Sequence, residues 1–247
     1  MNENLHTYYV AVKLCDTIIL QINYSPDLYF MIINYFMKCV IIANGDLEYT
    51  SEITKTIKNA QLIISADGGA RHLRALNILP HVIIGDFDSI HKKDYTFFQK
   101  KQVKIINFPL KKDYTDTQLC VSYALEHEAS DITLFGVTGS RVDHTIANIF
   151  LLKRVAELNI PARIINRHNE IYIVTNHLEL KGHPKELLSI IPVTPDVTGV
   201  TLTGLEYPLH NAHMKMGESL GISNVFNEAI ASISIASGMV IVTKSKD

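Results

Sequence analysis

Asp86 and Asp88 close the apolar run Val82-Ile-Ile-Gly-Asp-Phe-Asp-Ser89, at the spacing of two side chains on one face of an extended strand. Two carboxylates so placed suit a hard cation such as Mg²⁺, which takes oxygen ligands and leaves room for phosphate oxygens. Further acids follow other apolar runs: Asp67 in Ala66-Asp-Gly-Gly69, Asp113 and Asp116 in Lys112-Asp-Tyr-Thr-Asp116, and Asp143 in Thr138-Gly-Ser-Arg-Val-Asp-His144. An open parallel sheet binds ligands beyond the carboxyl ends of its strands, so these acids are expected along one edge, placed to hold a metal-bound phosphate. Each motif also has a plainer use. A Gly-Asp-x-Asp can be a solvated turn, and an acid at a helix start can be a cap. Capping accounts for one of Asp113 and Asp116 more readily than for both.

Glycine-bearing turns accompany the acids. Gly136-Val-Thr-Gly-Ser140 joins a strand to a helix, so Thr138, Gly139, Ser140 and the following Arg141 are candidates for cradling phosphate. His144, or Thr145, and Asn148 extend a polar stripe from that turn at helical spacing, while Ile146, Ile149 and Phe150 cover another face. Asn44, Gly45 and Asp46 end the first core strand; Gly68, Gly69 and Arg71 follow Asp67; Lys111 and Lys112 stand just before Asp113. Near the C-terminus, Gly204-Leu-Glu-Tyr-Pro-Leu209 sets Tyr207 beside a proline, and Gly221-Ile-Ser-Asn224 puts Ser223 and Asn224 in a compact turn. The chain has no Gly-x4-Gly-Lys-Ser/Thr loop, no Gly-x-Gly-x-x-Gly fingerprint and no protein-kinase signature set.

The elements that must position these residues follow a simple rhythm. Val40–Ala43, Leu62–Ser65, Val82–Ile84, Val103–Ile106, Ile132–Phe135 and Ala162–Ile165 read as buried strands, and most segments between them have helical spacing. That alternation predicts an α/β domain with a parallel sheet covered on both faces. Thr115-Asp-Thr-Gln118 has the spacing of a capping box, and Ser140-Arg-Val-Asp143 has its acidic variant before a helix expected to reach Leu158. After about Arg167 the runs become short and β-branched, punctuated by glycine and proline: Ile171–Val174, Leu187–Ile191, Val200–Leu202, Ile233–Ile235 and Val240–Val242. An all-β sandwich is expected there. The resulting division is 1–36 as an extension of open role, 37–166 as the α/β domain and 167–247 as the β-sandwich domain.

The composition excludes several classes. In 247 residues, 47% are hydrophobic and 19% charged, an ordinary globular balance, and a net charge of -2 supplies no basic field for nucleic acid. The three cysteines are far apart and lack Cys-x-x-Cys spacing, which fits a reducing, cytoplasmic setting. The apolar segment 24–37 is interrupted by Pro26, Asp27 and Asn34 and is too short to span a bilayer; no secretion signal is expected.

In order along the chain, Ala43-Asn-Gly-Asp-Leu47, Ala66-Asp-Gly-Gly-Ala70, Ile84-Gly-Asp-Phe-Asp-Ser-Ile90, Lys112-Asp-Tyr-Thr-Asp116, Thr138-Gly-Ser-Arg-Val-Asp-His144 with Asn148, Gly204-Leu-Glu-Tyr-Pro-Leu209 and Gly221-Ile-Ser-Asn224 resemble thiamin pyrophosphokinase. The resemblance spans about Met37 to the C-terminus. It implies Mg²⁺-dependent transfer of the pyrophosphoryl group of ATP to the hydroxyl of thiamin, in a homodimer whose sites lie between subunits. On that reading Asp86, Asp88 and either Asp113 or Asp116 bind Mg²⁺, while Asp67 and Asp143 bind metal or substrate through water. The turns carrying Asn44, Gly68 and Gly139, with Lys112 and Arg141, contact ATP; Tyr207, Ser223 and Asn224 contact thiamin. The chain departs from the pattern at Gln118, where many relatives carry an acid, and in having no Trp, which leaves Tyr207 as the aromatic contact to the pyrimidine. Two alternatives are a Mg²⁺-dependent transferase acting on another small alcohol and a nucleotide-binding sensor without turnover. Met37 is also a possible alternative start.

Overall fold

Apolar runs flanked by capped helices organise the chain. The computed structural model describes residues 36–109 and 114–246, so the expected contributions of Lys111, Lys112 and Asp113 fall outside the described residues. The first half runs β1 (Lys38–Ile42), α1 (Ser51–Lys58), β2 (Leu62–Ala66), a 3-10 turn (Asp67–Gly69), α2 (Ala70–Ala75), β3 (Val82–Gly85), α3 (Lys92–Lys100), β4 (Lys104–Asn107), α4 (Asp116–Glu126), β5 (Asp131–Phe135), α5 (Val142–Ala156) and β6 (Ala162–Ile165). Threonine caps set two helix starts: the Thr50 hydroxyl accepts from the Ile53 N–H at 3.1 Å, and the Thr115 hydroxyl from the Gln118 N–H at 3.2 Å. The second of these is the spacing expected from sequence. By contrast α5 starts at Val142 behind Arg141, which makes no side-chain cap, so Ser140 does not open that helix, and it ends at Ala156 rather than Leu158.

Each expected parallel strand forms, and both faces of β1 are buried. Cys39 and Ile41 join a core with α4 and α5, while Val40 and Ile42 join a second core with α1, α2 and α3. The remaining strands are β7 (Asn169–Val174), β8 (His177–Lys181), β9 (Leu187–Pro192), β10 (Asp196–Thr203), β11 (Leu209–Lys215), β12 (Asn224–Val225), β13 (Ile230–Ser234) and β14 (Val240–Ser245). They build a sandwich around a third core that includes Val174, Leu188, Leu202, Phe226 and Val242.

One sheet of that sandwich is not separate. β6 pairs antiparallel with β7, so a ten-stranded sheet runs β12-β9-β14-β7-β6-β5-β1-β2-β3-β4, and a four-stranded sheet, β11-β10-β13-β8, forms the other layer. The boundary expected between residues 166 and 167 lies in the short connection between β6 and β7. Within the parallel part, the chain steps outward from β1 through β2, β3 and β4, then returns to place β5 on the other side of β1. The order reverses between β1 and β5, which is where an open α/β sheet leaves a crevice.

Candidate active site

The acids converge, but not as the pair that strand alternation suggests. β3 stops at Gly85 and Phe87 takes a left-handed backbone (φ 63°), so Asp86 and Asp88 lie in a turn rather than on one strand face. Instead Asp67 after β2, Asp86 after β3 and Asp116 in the first turn of α4 bring one carboxylate oxygen each within 4.8 Å of one another. Gly85 makes room for this: a Cβ there would stand 2.8 Å from the Asp67 Cβ and 3.4 Å from the Asp116 Cγ. Asp88 is exposed beside the group and accepts a 2.7 Å hydrogen bond from the Ser89 hydroxyl.

Asp67 is the unusual member. It is 4% exposed, and although its Oδ2 accepts the Ser89 N–H at 3.0 Å, its Oδ1 is buried without a hydrogen-bond partner among the described residues. Burial pushes its carboxyl up to about 6; the charges of Asp116 and Asp88 add to the rise, and the Ser89 N–H opposes it. A buried acceptor with nothing to accept is costly, and an all-carboxylate donor set suits a hard divalent cation. These residues therefore fit Mg²⁺.

At the switch point lies a cleft of about 640 Å³ whose walls include Asp46, Tyr49, Arg71, His72, Gly139 and Arg167. The two loops that form it are zipped together: the Gly45 N–H donates to the Gly136 carbonyl at 2.6 Å, and Gly136 sits at φ +64°, a conformation that favours glycine. Arg71 pins the first loop, donating from Nε to the Asn44 side chain at 2.8 Å and from its terminal nitrogen to the Asn44 carbonyl at 2.9 Å. Asn44 in turn presses on Gly68, where a Cβ would approach its amide to 2.6 Å, so cleft and acid group are neighbours. Asn166 donates to the Thr138 hydroxyl at 3.1 Å and ties the β6–β7 turn to the loop after β5.

The remaining predicted residues divide by role. Gly69 is buried in the 3-10 turn, and Ser140 is exposed in the turn before α5. Asn148 is buried and donates to the Val137 carbonyl at 2.7 Å, so it props the turn rather than continuing a solvated stripe; Thr145 accepts the Gly139 N–H at 3.3 Å. Asp143 stands outside the acid group, exposed and paired with Arg141 at 2.7 Å, and that hydrogen bond holds its carboxyl below the usual range. His144 is exposed, 4.0 Å from the same carboxylate. In the sandwich, Tyr207 is 61% exposed, whereas Asn224 is buried and grips the Tyr207 backbone from both sides, accepting its N–H at 3.0 Å and donating to its carbonyl at 2.7 Å. Ser223 is exposed at φ 56°. Glu48, Tyr49, His72 and the turn 166–169 escape the motif reading; only the clustering of polar and aromatic residues after Asp46 hints at the first of them.

Fold and site together define a class: an α/β enzyme with a polar switch-point cleft beside a carboxylate group, joined to a β-sandwich. Comparison with known proteins narrows this. Residues 53–164 match the family description "Thiamin pyrophosphokinase, catalytic domain" and residues 174–240 match "Thiamin pyrophosphokinase, vitamin B1 binding domain". The chain is 34% identical to the thiamine pyrophosphokinase of Bacillus subtilis over 209 residues, covering 84% of this chain and 98% of that protein. It is 27% identical to thiamin pyrophosphokinase 1 of Caenorhabditis elegans, covering 73% of this chain and 78% of that one. The crystal structure of the B. subtilis protein superposes with a TM-score of 0.78 at 32% identity, over 85% of this chain and 99% of that one. The yeast enzyme, at 18% identity and a TM-score of 0.72 over 85% of this chain and 86% of that one, shares the fold. The chain belongs to the thiamin pyrophosphokinase family. It is a thiamin diphosphokinase, transferring the pyrophosphoryl group of ATP to thiamin to give thiamin diphosphate and AMP.

Proposed function

We propose that ATP occupies the switch-point cleft with its phosphates toward Asp67, Asp86 and Asp116, that these carboxylates hold Mg²⁺, and that a second copy of the chain completes the thiamin site. The observation that carries this reading is the buried, unpartnered Oδ1 of Asp67 within a three-carboxylate group next to the cleft. A bound Mg²⁺ supplies charge neutralisation on the phosphate oxygens. In the transfer, the thiamin hydroxyl oxygen forms a bond to the β-phosphorus and gives up its proton to a carboxylate or water, while the bond from the β-phosphorus to the oxygen it shares with the α-phosphorus breaks and AMP leaves with that oxygen. The chain's own task is to hold nucleophile and leaving group in line. Gly139 and Arg71 face the cleft and suit the nucleotide, with Arg141 exposed just beyond the same turn. Tyr207, exposed and with its backbone fixed by Asn224, suits the thiamin ring.

Two features favour a homodimer. No residue of the segment 174–240 lines the cleft or joins the acid group among the described residues. Val142, Ile146 and Phe150 also form an exposed apolar stripe at i, i+4 and i+8 on α5, and solvent-facing stripes of that kind mark contacts with other chains. Among the described residues no helix is long and apolar enough to cross a membrane. The buried thiols of Cys39 and Cys120 suit a cytoplasmic, reducing setting.

The deciding assay incubates the chain with ATP, Mg²⁺ and thiamin and separates the products. AMP and thiamin diphosphate should appear in equal amounts. AMP release without thiamin would mean that water accepts the pyrophosphoryl group and would count against thiamin as the acceptor, and nucleotide binding without turnover would indicate a sensor.

A further inference from the structure

Between the end of β1 and the start of α1 the backbone has no regular structure, yet it carries a firmly anchored aromatic side chain. Tyr49 is 49% exposed and lines the cleft. Its hydroxyl lies 2.8 Å from Nδ1 of His72, and the two rings meet edge-on, with centroids 5.7 Å apart at 69°. His72 itself is only 2% exposed, and its Nε2 lies 2.8 Å from the Gly45 carbonyl. A carbonyl only accepts, so Nε2 carries the proton; in the neutral ring Nδ1 is then the acceptor and the Tyr49 hydroxyl the donor. Burial lowers the imidazole's pKa and the neighbouring Arg71 adds to this; together they outweigh the Gly45 hydrogen bond and Asp46, which raise it, so the neutral form is favoured.

A buried imidazole needs both nitrogens satisfied, and an aliphatic side chain fills such a space without that demand. Here one nitrogen holds the loop backbone and the other holds a ring that stands half in solvent. Resting on the assignment of ATP to this cleft, we propose that Tyr49 is the stacking surface for the heteroaromatic base of the nucleotide and that His72 is the positioning residue that fixes it. The cleft, at about 640 Å³, has the size of a small-molecule site and accommodates a nucleoside. Stacking on an aromatic face is tolerant of base identity, so Tyr49 contributes to nucleotide affinity more than to base selection.

The test is steady-state kinetics on the full chain, varying ATP at saturating thiamin and thiamin at saturating ATP, with calorimetric titration of ATP alongside. Tyr49→Ala should raise the KM for ATP and weaken its binding by roughly 5- to 150-fold, the range expected when a base loses its aromatic platform. The KM for thiamin should stay near the wild-type value. Tyr49→Phe keeps the ring and loses the anchor, so its defect should be smaller, and His72→Leu, which also loses the Gly45 contact, should be at least as impaired as Tyr49→Phe. The double variant Tyr49→Phe/His72→Leu should be no worse than His72→Leu alone, because the hydrogen bond that Tyr49→Phe removes is already lost there. His72→Gln, which can still donate to the Gly45 carbonyl, should recover part of the His72→Leu loss. If Tyr49→Ala binds ATP normally, or if its defect falls equally on thiamin, the proposal is overturned. Additive effects of Tyr49→Phe and His72→Leu would overturn the positioning role. Should His72 variants fail to fold, the exposed Tyr49 pair decides the question alone. A wild-type chain that makes no thiamin diphosphate sinks the functional reading, while the calorimetric comparison still decides whether Tyr49 holds the base.

Discussion

At the scale of single residues, the acids are placed unequally. Asp86 and Asp116 face Asp67 across a few ångströms, whereas Asp88 points a carboxylate at its neighbour's hydroxyl and stands in solvent. Asp86→Asn and Asp116→Asn should each lower turnover by roughly 100-fold or more, since losing one preorganised electrostatic contact to a transition state costs about 2.7–4 kcal/mol. Asp88→Asn should lose less than either. Turnover measured over a range of Mg²⁺ concentrations, with melting temperatures recorded for each chain, checks the order. Equal losses at all three positions would mean that the Asp67 group is not the metal site.

At the scale of elements, two polar contacts hold the sandwich together in places where a purely apolar reading sees nothing. The buried Asn224 amide clasps the Tyr207 backbone and so fixes the β10–β11 turn against β12. Asn224→Ala leaves a backbone donor and acceptor without their partner and should cost about 1–3 kcal/mol, read from urea unfolding, with Tyr207 displaced and the KM for thiamin raised. On the ten-stranded sheet, Lys244 of β14 bridges Glu170 at 3.5 Å and Glu186 at 3.3 Å. Burial alone raises the Glu186 carboxyl, but the His183 N–H together with Lys244 and Lys246 outweighs it, and the group is held below its ordinary value. A depressed carboxyl stabilises the fold above the unfolded value of 4.5, and that contribution is lost as pH falls through the lower folded value. Glu186→Gln should therefore lower stability near neutral pH and progressively less in acid. Urea melts of both chains across that range check it; a gap that stays constant with pH would count against the ion pair.

At the scale of the whole molecule, the division of labour between the two halves sets the expectation. The acids and the cleft come from residues 46–169, and the exposed Tyr207 comes from the sandwich. If one copy supplies the acids and its partner the thiamin-binding turns, mixing Asp86→Asn chains with Tyr207→Ala/Ser223→Ala chains creates heterodimers with one intact site and one doubly damaged site. Random pairing in a two-fold dimer then restores about a quarter of the sites. Activity no higher than that of the parents in isolated heterodimers would place both parts within one chain. A chain beginning at Met37 should also fold and turn over, because the two family matches begin at residue 53 and end at residue 240. Loss of solubility or of activity on that truncation would assign the first 36 residues to the working structure.

The sequence by itself determined the local elements. The apolar runs of β1, β2, β3 and β5 are buried on both faces, and such strands announce themselves by hydrophobicity alone; the cap at Thr115 is likewise a matter of neighbours in sequence. Three strands escaped. β8 and β11 are the edges of the four-stranded sheet and β12 ends the ten-stranded one, so their exposed sides tolerate His177, Glu179, His210 and Lys215, and the pattern blurs. Motifs named the acids and glycine turns, but only the tertiary structure decided which acids meet. The left-handed turn at Phe87 separates Asp86 from Asp88, while the pairing of β2 with β3 and the seating of α4 carry Asp67, Asp86 and Asp116 together. The same holds for Tyr49 and His72, and for the joining of two architectures through β6 and β7. Periodicity and capping act over a few residues and can be read along the chain. Strand order and loop packing are set by contacts between distant segments, and no local pattern encodes them.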